Sequence, residues 1–231
     1  MPSVLITGAS RGLGFALSQE FDKVGYMLLL VVRTCKAKLE LEQQFKYSKI
    51  LVADVTAENY ESLLNEFLFD LVVDVVINNA GSGSNGSCLE TAVASQLRKE
   101  FETHCVAAFS TVRASLNCLF KSDNALILNI SSRRGSLTMQ SQGAAKGSGC
   151  SFSYRIGKAS QNMLTLCLAD ELEDSGIIVA AIHPGRLLTK LASSDANMTP
   201  EKSAEKIVSL IENNQIKSRD YLCIETGSLS W

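Results

Sequence analysis

Short, continuous apolar runs alternate along this chain with longer stretches of helical period, and that alternation restricts the fold more than any other feature. The runs Val4–Thr7, Tyr26–Val32, Ile50–Ala53, Val73–Asn78, Ala125–Ile130 and Ile177–His183 are apolar at consecutive positions, the pattern of strands covered on both faces. Between them the sequence predicts helices over Gly12–Val24, Cys35–Phe45, Glu58–Phe69, Leu89–Phe120, Ser153–Asp174 and Pro200–Glu212, the longest breaking near Arg98–Thr103. A weak final strand is expected over Tyr221–Ile224. Such alternation implies an α/β fold, a doubly wound parallel sheet of about seven strands with helices on both faces. With 231 residues, the chain is read as one domain over residues 1–231.

Charge narrows the range of partners. The net charge is -2, from 22 basic and 24 acidic residues mixed along the chain, so neither nucleic acid nor an anionic membrane surface is an expected partner. The longest apolar run, Tyr26–Val32, is far shorter than the roughly 20 residues that span a bilayer. The 7 cysteines are scattered without a Cys-x-x-Cys pair, which reads as reduced thiols and no structural metal. His183, ahead of Pro184 at a strand end, is read as structural. A strand only three residues in, followed at once by a glycine turn, leaves no room for a secretory leader. The expected address is cytoplasmic.

Chemistry enters at the strand ends. Gly8-x-x-x-Gly12-x-Gly14 joins the first strand to the first helix, and Ser10, Arg11 and Leu13 complete the turn. Glycines there allow a tight turn and a close backbone approach, with helix N–H groups directed at a pyrophosphate. Where an acid would meet the ribose hydroxyls of NAD, the second strand ends Val31-Val32-Arg33-Thr34. Arg33 and Arg11 together suit a 2′-phosphate, so NADP(H) is the expected cofactor. Asp54 and Val55 end the third strand, and Asn78-Asn79-Ala80-Gly81 the fourth, at the edge where adenosine and ribose would lie. Asp54 is a candidate for the adenine amino group. Asn79 is placed to brace neighbouring strands, and Ala80 and Gly81 let the backbone come close. Tyr154 and Lys158, one turn apart on a helix, put an ammonium beside a phenol. The expected result is a lowered tyrosine pKa and a proton to trade with an alcohol or carbonyl.

In order along the chain, Thr-Gly-x-x-x-Gly-x-Gly, Asn-Asn-Ala-Gly, Ser, Tyr-x-x-x-Lys and Pro-Gly resemble the short-chain dehydrogenase/reductase family, from Val4 to about Thr189. Within it, His183-Pro184-Gly185, the brief tail and Trp231 look like the C-factor-like carbonyl reductases. The resemblance implies a Rossmann-like domain, a nicotinamide cofactor and alcohol or carbonyl substrates. It makes Ser132, rather than Ser131, the residue that holds the substrate oxygen and Tyr154 the general acid/base. Lys158 would tune the tyrosine and bind the nicotinamide ribose, while Pro184, Gly185 and Thr189 would line the nicotinamide. Where the family carries an asparagine that holds a water on the proton path to the lysine, this chain has His104, a candidate substitute. The long stretch between Ser132 and Tyr154 implies an inserted loop, Gln140–Ser153, over the site. Arg186, where relatives carry an aromatic, points to a polar or acidic substrate.

These readings converge on an NADP(H)-dependent oxidoreductase interconverting a carbonyl compound and an alcohol by hydride transfer. The alternative is an NADP(H)-binding regulator with weak or no catalysis, marked by His104. A sugar-nucleotide epimerase would need a larger substrate domain than the tail provides. Relatives often pair through the helix carrying Tyr and Lys, and homo-oligomerisation is left open.

Overall fold

The structure, a computed structural model, describes residues 1–82, 89–188 and 197–231. Its strands are β1 (Ser3–Thr7), β2 (Met27–Val32), β3 (Ser48–Val52), β4 (Val75–Asn78), β5 (Leu126–Ile130), β6 (Ile178–His183), β7 (Tyr221–Cys223) and β8 (Gly227–Ser228). The helices are α1 (Gly12–Lys23), α2 (Cys35–Gln44), α3 (Tyr60–Phe67), α4 (Ala94–Phe101), α5 (Ala107–Leu119), α6 (Leu137–Ser141), α7 (Phe152–Glu171) and α8 (Pro200–Glu212). One 8-stranded sheet runs in the order β3-β2-β1-β4-β5-β6-β7-β8. All neighbours are parallel except β7 and β8. This is a doubly wound α/β domain, and no described helix is long and apolar enough to cross a membrane.

The sheet has two apolar faces because its central strands are apolar at every position, and each face carries its own core. Val4, Ile6, Leu28, Leu30, Ile77, Leu128 and Ile182 meet α1 and α8 on one side. Leu5, Leu29, Val76, Ile127 and Val179 meet α3, α5 and α7 on the other. Single-residue alternation between these two sets is what a parallel strand covered on both sides must show.

Differences from the sequence-based expectation lie at element ends. The sheet has an eighth strand rather than seven, because the turn at Gly227, with φ +85°, folds Gly227–Ser228 back onto β7. The long helix expected over Leu89–Phe120 begins only at Ala94. Near its expected break lies a π-helical turn, Glu102–Val106, joining α4 to α5. The short α6 leads into the inserted segment, capped by Ser136 Oγ accepting from Met139 N at 3.1 Å.

The order reverses at β1, which pairs with β2 on one side and β4 on the other. A crevice therefore opens at the carboxyl ends of β1 and β4, where doubly wound sheets bind ligands. Two glycines let α1 start inside it. Gly8 has φ +69°, and a Cβ there would lie 3.0 Å from Ala80 Cα. A Cβ on Gly14 would lie 2.4 Å from Gly8 O and 2.5 Å from Asn79 Nδ2. Backbone cannot yield as a flexible side chain would, so Gly14→Ala is expected to destabilise the protein by about 1–3 kcal/mol. Urea unfolding of the variant against wild type measures this, and an unchanged midpoint would contradict the packing described.

Candidate active site

Crossed hydrogen bonds bind the crevice walls. Thr7 Oγ1 accepts from Asn79 N at 3.1 Å and Ala80 N at 3.0 Å. Asn79 Nδ2 donates to Thr7 O at 2.8 Å and Gly8 O at 3.2 Å. Asn79 thus braces β1 against β4 as its amide permits. Beside it, Gly8, Ser10, Arg11, Gly12, Leu13 and Gly14 form the turn into α1. Arg11 is the N-cap, and no side chain caps that helix, so its first-turn N–H groups are presented to the crevice. Gly12, with φ +57°, has open space where a Cβ would stand.

Arg33 is exposed at the end of β2, close enough to Asp54 to lower its pKa. The larger causes there are hydrogen bonds from Thr56, whose N donates at 3.0 Å and whose hydroxyl donates at 2.8 Å. Asp54 therefore already accepts two local bonds. Val55 and Ala80 line a small recess behind the crevice with Thr7, Asn78 and Thr111. Gly81 follows at the rim. Pro184 and Gly185 are buried after β6, whereas Thr189 lies outside the described residues. A larger cavity of about 340 Å³, lined by Tyr26, Asp74, Asp123 and Glu212 among others, involves none of the candidate residues.

The second half of the site hangs on α7. Ser151 caps it, accepting from Tyr154 N at 3.2 Å, which sets Tyr154 in the first turn. Ser132 is buried, and its hydroxyl accepts from Arg134 N at 3.2 Å. The Ser132 hydroxyl is near enough to the Tyr154 hydroxyl to favour its ionised form. Ser131, by contrast, donates to Asn162 Oδ1 at 2.5 Å, so only Ser132 meets the tyrosine. Lys158 Nζ donates to Ile130 O at 2.6 Å and Gln161 Oε1 at 2.9 Å, and lies 5.9 Å from the Tyr154 ring centroid.

Here the expected tuning of the tyrosine is corrected. Burial pushes Tyr154 up to about 12, the nearby Ser132 hydroxyl opposing it only in part, and pushes Lys158 down to about 7. Lys158 is buried and Tyr154 partly so, and loss of water disfavours phenolate and ammonium alike. The ammonium is directed at Ile130 and Gln161 rather than the phenol oxygen.

His104 sits in the π turn, 1% exposed, with its ring edge-on to Tyr154 at 5.5 Å between centroids. Its Nε2 lies 3.0 Å from Glu100 Oε2, close but not aligned as a regular hydrogen bond. Burial lowers its pKa to about 4, with Lys158 adding to the effect and Glu100 opposing it. The sequence reading overlooked Glu100, which is 0% exposed. It accepts from Ser82 Oγ at 2.6 Å and Gln96 Nε2 at 2.8 Å. Burial pushes its carboxyl up, yet the nearby His104 and the bonds from Ser82 and Gln96 hold it below the usual range. Its spacing to His104 was the available signal: Glu and His at i and i+4 share a helix face.

Also overlooked was the polar support beneath. Asn78 Nδ2 donates to Asn129 Oδ1 at 2.8 Å, and Asn129 Nδ2 to Thr165 Oγ1 at 2.9 Å, linking β4, β5 and α7. Tyr221 donates its hydroxyl to Ser132 O and stacks on Trp231 at 4.8 Å. Ser136 Oγ donates to Ser230 O at 2.6 Å, and Thr138 donates to Trp231 O from its N at 3.0 Å and its Oγ1 at 2.6 Å. The segment 140–153 is tied to this turn and to α7, with Arg134 Nη1 donating to Ala144 O at 2.6 Å and Arg155 Nη1 to Gln140 Oε1 at 3.2 Å.

Two readings change in this region. Arg186 is paired with Glu225, Nη2 to Oε1 at 3.1 Å, so its charge is answered within the protein and no longer argues for an acidic substrate. His183, Cys223 and Glu225 bring donor atoms within 4.8 Å of one another, a set of metal-ligand type. Glu225 is engaged by Arg186, and Arg133, Arg134 and Arg186 all depress the His183 pKa. That positive field opposes a cation.

Residues 2–200 match the short chain dehydrogenase family. The chain belongs to that family. It is therefore an oxidoreductase of a family that uses a nicotinamide cofactor. Among curated short chain dehydrogenases it is 28% identical over 211 residues to the uncharacterized oxidoreductase YmfI of Bacillus subtilis, covering 89% of this chain and 83% of that protein. It is 28% identical to the L-fucose dehydrogenase of Oryctolagus cuniculus, covering 87% and 68%. In solved structures the fold is that of the NADPH-bound carbonyl reductase from chicken fatty liver, with TM-score 0.87, 24% identity and 100% and 99% coverage. The carbonyl reductase Sniffer of D. melanogaster has TM-score 0.86 and 25% identity, covering 100% of both chains.

Both histidines of the chain, His104 and His183, have pKa values lowered to about 4, burial being the largest cause. Between about 6.5, the unfolded value, and about 4 the unfolded chain binds protons that the folded one refuses. These groups therefore withdraw stability as pH falls through that window. Histidine Cε1 proton shifts followed by NMR should stay flat from pH 8 to pH 5, and a midpoint near 6.5 for either would contradict the burial described.

Proposed function

We propose that this protein is an NADP(H)-dependent oxidoreductase that interconverts a carbonyl compound and an alcohol, with Tyr154 as the general acid/base. The observation that carries the reading is the placement of Tyr154 in the first turn of α7, with Lys158 buried on the next turn and Ser132 buried at the end of β5. The crevice fits a dinucleotide: α1 has no side-chain cap, Gly12 leaves room beside it, and Gly8 and Gly14 bring the backbone close. In this reading the turn from Gly8 to Gly14 holds the pyrophosphate. Arg11 and Arg33 answer a 2′-phosphate, Asp54 and Val55 border the adenine, and Asn79, Ala80 and Gly81 border the ribose. Pro184 and Gly185 border the nicotinamide, which supplies the hydride when bound, and Thr189 is assigned to the same segment by sequence alone.

This chain's own residues then handle the proton. Ser132 donates to the substrate oxygen and orients it. Tyr154, held neutral by its burial, is loaded as a proton donor at its hydroxyl, which suits carbonyl reduction. A charged lysine stabilises the tyrosinate left behind, and Gln161 and Ile130 hold Lys158 on that side of the helix. His104 closes the wall beside the ring. The NADPH in the chicken carbonyl reductase supports the cofactor assignment.

Purified protein should consume NADPH with members of a panel of aldehydes and ketones. Tyr154→Phe should lower kcat by at least about 100-fold, the usual reach of a general acid, with NADPH binding retained. Binding without turnover across the panel would instead favour the cofactor-sensing alternative. Arg33→Asp should raise the Kd for NADPH by about tenfold or more, equivalent to one charge-assisted phosphate contact, and leave NADH nearly unchanged. Tighter NADH binding by wild type would refute the cofactor preference.

A further inference from the structure

Glu100 stands out because an acidic side chain that is 0% exposed requires a reason, charged groups being buried this completely only when paired. Its partners are arranged around it. Ser82 reaches it from the chain beyond β4, Gln96 from the preceding turn of α4, and His104 from the π turn. The imidazole in turn has a fitted seat. A Cβ on Gly81 would lie 3.0 Å from His104 Cε1, and one on Gly157 would lie 3.0 Å from His104 Cδ2 and 3.1 Å from Glu100 O. Two glycines, on the β4 rim and between Tyr154 and Lys158, thus leave room for this ring.

We propose that Glu100 is a positioning residue of the site: its carboxylate seats the His104 imidazole and supplies the buried negative charge that keeps Lys158 an ammonium. The proposal rests on the oxidoreductase reading above and assigns it a counter-charge. Around Lys158 the ionisable groups are Glu100 from α4, His104 from the π turn and Tyr154 from α7 itself. Cys150, ahead of α7, and Tyr221, on β7, reach Tyr154. Burial raises both of their pKa values, so neither carries charge at neutral pH. Arg134 and Arg155 face Cys150 and cannot favour a second cation. His104 is neutral there as well, with a pKa of about 4. Among the described residues the carboxylate is the one anion that opposes the effect of burial on the lysine. The π turn is the device that makes the arrangement possible, since a widened turn redirects the side chains after α4.

The test reads the lysine directly. In cofactor-free protein labelled with 13C at lysine Cε, the Lys158 signal is assigned by its loss in Lys158→Arg and titrated by NMR. Glu100→Gln keeps the shape and removes the charge, so the Lys158 midpoint should fall by about one pH unit. Gln96→Ala removes a donor but leaves the charge, and should hold the wild-type midpoint. In turnover, Glu100→Gln should move the alkaline limb of kcat/KM to lower pH, with the carbonyl KM little changed, and Glu100→Asp should recover part of the shift. A folded Glu100→Gln with an unmoved Lys158 midpoint overturns the proposal. Should Glu100→Gln not fold, Glu100→Asp carries the same test, an unshifted midpoint together with an unshifted alkaline limb counting against it. Absence of wild-type turnover would defeat the catalytic reading, yet the lysine titration would still decide whether Glu100 sets its charge.

Discussion

The structure depends on the bracing of β1 to β4 at the point where the sheet order reverses. Parallel strands that diverge there leave a crevice, and backbone groups at its lip would lose their ladder partners. Thr7 and Asn79 replace those partners reciprocally, the hydroxyl accepting two N–H groups and the amide donating to two carbonyls. The helix α1 can then start directly over β1, because Gly14 offers no Cβ to the same carbonyl and amide. Each part needs the other: the brace fixes where the turn lies, and the turn leaves the brace room to form.

Beneath the Ser132 and Tyr154 hydroxyls the protein uses polar side chains where an ordinary core would use leucine. Asn78, Asn129 and Thr165 chain three elements together through buried bonds, and Gln161 both anchors Lys158 and, through its carbonyl, accepts from Thr165 at 2.9 Å. A buried hydrogen-bonded network is tied to one geometry, whereas apolar contacts tolerate small slides. That difference matters for α7, whose Tyr154 must stay opposite Ser132. The apolar residues on the two sheet faces hold the helix down, and the amides determine its position along the sheet.

The strands and the order of motifs were legible because they rest on local rules. Continuous apolar runs announce covered strands, and a glycine turn between strand and helix announces a crevice. Glu100 was not legible, because an acid in a polar helix stretch looks like a solvated face until α7 is packed across it. The same holds for Gln161 and Asn129, whose partners lie on other elements. The charge states also escaped the sequence. A Tyr–Lys pair one turn apart implies an attraction, but both pKa values are governed first by desolvation, a property of the assembled fold. The π turn was visible only as a vague break near Arg98–Thr103, since π and α turns differ by one hydrogen-bond register and leave no composition signal.

The stitching of residues 221–231 onto the turn after Ser132 has a bearing on how the molecule is made. The bonds from Tyr221 to Ser132 and from Ser136 to Ser230 span 89 and 94 residues of chain, so each closes a long loop. Closing such loops is entropically costly and comes after local contacts have formed. The first half of the sheet can pair while the C-terminal chain is still being synthesised. The Ser132 turn, however, acquires its last restraints only when β7 docks. Restraint of the Ser132 turn is therefore a late event in folding, coupled to completion of the sheet's far edge rather than to formation of the crevice between β1 and β4.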